Sequence, residues 1–121
     1  MIWQEEKNIV DKIIKKIKPF SDSAKKYKIN DDERLFIEAL VSEMIMRDQE
    51  KYLNIDRRSN GLLNFCYQRA QIGRINLRSN PTRMQLIFPD DVVWLERVSV
   101  YDCINKLPMW VQRIDDIKMR R

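Results

Sequence analysis

The chain has 121 residues, a net charge of +5 and no histidine, which suits one domain around one core. The missing histidine removes the Ser-His and Cys-His nucleophile systems, histidine metal ligands and the one side chain that titrates unperturbed near neutral pH. Leu, Ile, Val and Phe make up 35 of the 121 residues, enough apolar content for so charged a chain to fold.

In chain order, Ile9, Val10, Ile13, Ile14 and Ile17 recur at helical spacing over residues 3–18, predicting an amphipathic first helix that Pro19 ends. Lys12, Lys15, Lys16 and Lys18 lie on its polar side, where they suit the helix dipole as well as a membrane-surface or nucleic-acid face. Asn30 followed by Asp31, Asp32 and Glu33 is a helix start. The second helix is expected to run to about Leu53, with Ile37, Leu40, Val41, Met44 and Ile45 as a broad apolar stripe. After the turn cluster Asp56–Gly61, the residues Leu62, Leu63, Phe65, Cys66, Tyr67 and Ala70 predict a third, shorter helix with Gly73 as its stop. Alternation over 74–78, the turn Ser79-Asn80-Pro81-Thr82 and the run Met84–Phe88 predict a β-hairpin. Pro89-Asp90-Asp91 caps a further helix beginning near Val92, although Val92, Val93, Val98, Val100 and Tyr101 also suit a strand. Pro108 opens a terminal helix through Trp110, Val111, Ile114 and Ile117. The expected fold is mainly α: a compact single-domain bundle of about four to five helices with one short hairpin around residues 74–88.

Cys66 and Cys103 show no CxxC spacing, which excludes zinc knuckles and thioredoxin-type pairs, and both read as small hydrophobes. Glu5 and Glu6 stand where a signal peptide would be basic, and no apolar run approaches a membrane span. A soluble protein of a reducing compartment, most simply the cytoplasm, is expected. With two glycines there is no Gly-rich phosphate loop, and neither a cofactor nor a resident metal is expected.

The charge is segregated. Residues 29–56 carry eight acids against three bases, whereas residues 57–83 carry six arginines and no acid. This block, Arg57, Arg58, Arg69, Arg74, Arg78 and Arg83, is interleaved with Gln68, Gln71, Asn76 and Asn80. Arginine and amide side chains both make bidentate contacts, so the composition suits phosphates and base edges. The order of a short helix and then a basic hairpin matches a winged helix, without any family motif to accompany it. The expected function is non-enzymatic binding of nucleic acid or a nucleoprotein complex, with Arg57, Arg58, Arg69, Arg74, Arg78, Arg83, Gln71 and Asn76 as contacts. The bland alternative is that the block pairs internally with the acidic helix, through residues such as Glu38, Glu43 and Asp48.

A second function is a protein-binding inhibitor or adaptor, of the kind a phage or mobile element uses against a nucleic-acid enzyme. Arginines and Trp3, Trp94 and Trp110 would dock an acidic partner. A third is hydrolysis: Pro89-Asp90 with Asp116-Ile117-Lys118 superficially resembles the PD-(D/E)xK metal-dependent nuclease motif, in which two acids hold a divalent ion. The second half falls on an expected helix rather than the strand that motif requires. The doublets Asp31-Asp32, Asp90-Asp91 and Asp115-Asp116 read as caps and solvated turns.

Overall fold

The computed structural model describes residues 4–120; Trp3, at the start of the expected first helix, and Arg121 lie outside them. Helix α1 spans Gln4–Lys15 and α2 spans Asp31–Ile45. The strands are β1 (Lys18–Pro19), β2 (Leu53–Arg57), β3 (Leu63–Tyr67), β4 (Ala70–Asn76), β5 (Arg83–Ile87) and β6 (Val92–Glu96), and helices α3 (Val100–Asn105) and α4 (Leu107–Met119) follow. The strands form one sheet in sequence order. β1 runs parallel to β2, and β2 through β6 form an antiparallel meander.

This overturns the expectation of a helical bundle with one hairpin. The segment expected as a third helix is β3 and the start of β4. Its apolar residues satisfy two periods at once: Leu63, Phe65 and Tyr67 alternate into the core, while Asn64 and Cys66 point to the opposite face. Gln68, at φ 56, makes the tight turn into β4. Gly73 does not stop a helix. It lies inside β4, where an added Cβ would come within 2.6 Å of the Trp110 ring, so the glycine exists to admit the indole. The strand pair expected around residues 74–88 is the middle of the meander, with β4 beginning at Ala70. Residues from Val92 form β6 rather than a helix, with Val93 and Leu95 turned inward and Val92, Trp94 and Glu96 outward.

The second helix begins as expected. The Asn30 side chain accepts from the Glu33 amide, and the Glu33 carboxylate accepts from the Asn30 amide, a capping box. It ends eight residues short of the expected Leu53. Gln49 N–H donates to the Met44 carbonyl and Asp48 N–H to that of Ile45, with Asp48 at φ 53, a Schellman end built on aspartate instead of glycine. Ser99 and Asp102 form a second capping box that starts α3.

The helices gather on one face of the sheet. Phe36 of α2, Phe65 of β3 and Trp110 of α4 meet edge to face with centroids 5.2–5.7 Å apart. Val10 of α1 and Cys103 of α3 belong to the same core. Burying each such aromatic contributes about 1.5–3 kcal/mol, and Trp110 Nε1 also donates to the Gln85 carbonyl at 2.8 Å. Cross-strand partners share a face, so the pairs Asp56↔Asn64, Asn64↔Arg74, Asn76↔Arg83, Arg83↔Glu96 and Gln85↔Trp94 define the other side of the sheet. No described helix covers that side.

Candidate nucleic-acid interface

The arginine block divides between the interior and the open face. Arg57, at the end of β2, is 2% exposed. Its Nη1 and Nη2 donate to the two carboxylate oxygens of Glu33 at 2.5 and 3.0 Å, and Nη1 also donates to the Gly61 carbonyl. Arg78 donates from Nε and Nη2 to the same carboxylate at 3.2 and 3.0 Å, and from Nη2 to the Lys28 carbonyl. The Tyr27 ring lies beside both guanidinium groups. Burial works against the Glu33 carboxylate, but the hydrogen bonds from Arg57 and Arg78 outweigh it and hold its pKa below the ordinary value. Arg57 is therefore a structural residue, and Arg78 is largely committed to the same carboxylate.

Among the described residues, the internal pairing of the block with the acidic helix thus occurs through Glu33. Glu38 pairs with Arg34, Glu43 with Arg47 and Asp48 with Lys51. Asn76, expected as a contact, is buried. It accepts from the amides of Arg78 and Ser79 and donates to the Asn60 carbonyl, so it shapes the loop between β4 and β5.

The other members remain accessible. Arg58 pairs with Asp56 at 2.7 Å and lies 4.0 Å from the Phe20 ring centroid. Arg74 has no ion pair among the described residues and donates to Asn64 Oδ1 at 3.1 Å. Gln71 donates to Gln85 Oε1 at 2.8 Å, and Arg83 forms an exposed pair with Glu96. Arg69 is exposed in the β3–β4 turn. Beside Arg83, the half-exposed Trp94 closes a cleft of about 180 Å³ lined also by Asn60, Asn76, Ser79 and Asn80. Trp94, expected from sequence only as an anchor for a protein partner, belongs to this surface, whereas Asn64 and Gln85 lie on the same side of the sheet but are buried. The alternation Val92, Trp94, Glu96 was the available signal for the tryptophan, and it depends on reading that segment as a strand.

No protein-family model, curated protein or solved structure matches the chain.

Asp90 lies in the β5–β6 turn, while Asp116 and Lys118 lie on α4. Among the described residues, no three His, Cys, Asp or Glu side chains form a group that could hold a metal ion. Both cysteines are free. Burial pushes the Cys103 thiol up to about 12, and burial also raises that of Cys66, which receives a weak hydrogen bond from Asn64. Among the described residues, no helix is long and apolar enough to cross a membrane.

Proposed function

We propose that the chain is a non-enzymatic binding protein that holds single-stranded nucleic acid, alone or within a nucleoprotein, across the open face of its sheet. The observation that carries this reading is Trp94 beside Arg83 at the amide-lined cleft. An accessible indole stacks on any base, and arginine and asparagine next to it supply phosphate and base-edge contacts. Arg74, Gln71 and Arg58 continue the polar surface across β4 and β3 towards β2. Gln71, Arg74, Arg83 and Trp94 project from strands, which hold them more firmly than loops would. Three arginines against Asp56 and Glu96, with Arg69 at the margin, leave the surface net positive.

The test is the anisotropy of a fluorescein-labelled single-stranded 12-mer of mixed sequence, RNA and DNA in parallel, titrated at several salt concentrations. Binding is expected to weaken with salt along a logarithmic slope of about −0.7 for each phosphate neutralised. Absence of binding at low ionic strength, or binding indifferent to salt, overturns the reading.

A further inference from the structure

A second surface lies at the opposite end of the sheet. Between α1 and the outer edge of β2 runs a groove of about 480 Å³, within the range of sites that hold small ligands or short peptide segments. Its apolar floor is Ile9 and Ile13 of α1 with Leu53 and Ile55 of β2. Lys12, Lys16, Lys18 and Lys51 are exposed around it, against Glu50 and Asp56.

The backbone explains why the groove exists. Gln68 N–H donates to the Tyr52 carbonyl and Arg58 N–H to the Leu62 carbonyl, so the even-numbered residues of β2 direct their main-chain groups to β3. Those of Leu53, Ile55 and Arg57 therefore face outward, where the Leu53 N–H is taken by the Glu50 carbonyl and the Arg57 carbonyl accepts from Phe20 N–H. β1 pairs only with Asp56 and Arg57, because the chain before Lys18 has turned away into α1. Among the described residues, no strand continues β1 alongside Leu53 and Ile55. The slot has main-chain groups of Leu53 and Ile55 on one wall and apolar side chains below. At its margin, Glu50 Oε2 is buried with no hydrogen-bond partner among the described residues.

We propose that this groove docks an extended acidic segment of a partner protein, added as a strand beside Leu53 and Ile55. Alternate apolar side chains of the segment enter between Ile9 and Ile13, and its acidic side chains meet the lysines. Main-chain bonds give the affinity and side-chain alternation the specificity, as in other strand additions. Apart from Asp56, which borders both, this site rests on different residues from the open-face surface.

The test uses fluorescein-labelled, N-acetylated, C-amidated hexapeptides titrated with the full chain: alternating Glu-Val, alternating Lys-Val, and the Glu-Val peptide N-methylated at alternate residues in both phases. The acidic peptide is expected to bind at least about tenfold more tightly than the basic one and than the N-methylated forms. The surface variant Lys12→Glu/Lys16→Glu, checked for unchanged circular dichroism, is expected to lose about tenfold towards the acidic peptide. Equal binding of all peptides, no binding up to about 1 mM, or displacement of the acidic peptide by decanoate overturns the proposal. So does sedimentation showing that a second copy of the chain occupies the groove. Loss of oligonucleotide binding with peptide binding intact contradicts only the open-face reading.

Discussion

Glu33 and Arg57 form a bidentate ion pair in the interior, joining the first turn of α2 to the end of β2. The same carboxylate accepts from Arg78 in the β4–β5 loop and from the Asn30 amide at the head of its own helix. One side chain thus ties three parts of the fold together and takes two arginines out of the basic surface.

Removing it leaves the buried Arg57 charge without a counter-ion. Glu33→Gln is expected to destabilise the protein by about 3–5 kcal/mol, read as a lowered urea midpoint at unchanged slope. Arg78→Ala, on the more exposed member, is expected to cost less, about 1 kcal/mol. If the two variants unfold at the same midpoint, the hub does not work as described.

The same group sets an acid limit on stability. The Glu33 pKa is depressed in the folded protein from an ordinary 4.5, so on acidification the unfolded chain takes up its proton first. The stabilisation is complete above about pH 4.5 and is lost as pH falls through the lower folded value. Asp11 adds in the same direction, because its hydrogen bond from Arg34 lowers its pKa. Thermal melts across this acid range are expected to fall steeply for the native chain and to be flatter for Glu33→Gln.

Gly73 and Trp110 test the packing of α4 on the sheet. With a Cβ only 2.6 Å from the ring, Gly73→Ala is expected to cost about 1–3 kcal/mol by overpacking. The displaced indole would also lose its bond to Gln85, red-shifting the emission. Unchanged stability and unchanged emission would contradict the close approach.

The end of α2 offers a change of opposite sign. Asp48 is left-handed at φ 53, a conformation glycine adopts freely. Asp48→Gly is expected to raise stability by about 0.5 kcal/mol, measured by urea unfolding, and a fall would show that the Asp48 side chain contributes there.

These details mark what could be read from the sequence. The first helix, the Asn30 start and the Pro108 helix follow from local signals: period, cap and proline. The third helix was misassigned because Leu63, Phe65, Tyr67 and Ala70 fit both periods, and the choice was made by tertiary packing against Phe36 and Trp110. Gly73 looked like a stop because its reason is an indole 37 positions away. The end of α2 was invisible because aspartate holds a place glycine usually marks. At the site, the arginine block was legible as composition. Its division was not, because it depends on Glu33 reaching Arg57 and Arg78 across the fold, and Trp94 joined the surface only once residues 92–96 became a strand.

The most direct test of open-face binding is an amide and indole NMR titration of the ¹⁵N-labelled chain with the single-stranded 12-mer at low salt. Shifts are expected at Arg74, Asn80, Arg83 and the Trp94 indole, with the buried Trp110 indole and the lysine-bearing face of α1 little changed. Shifts confined to Lys12, Lys15, Lys16 and Lys18, with Trp94 unmoved, would contradict it.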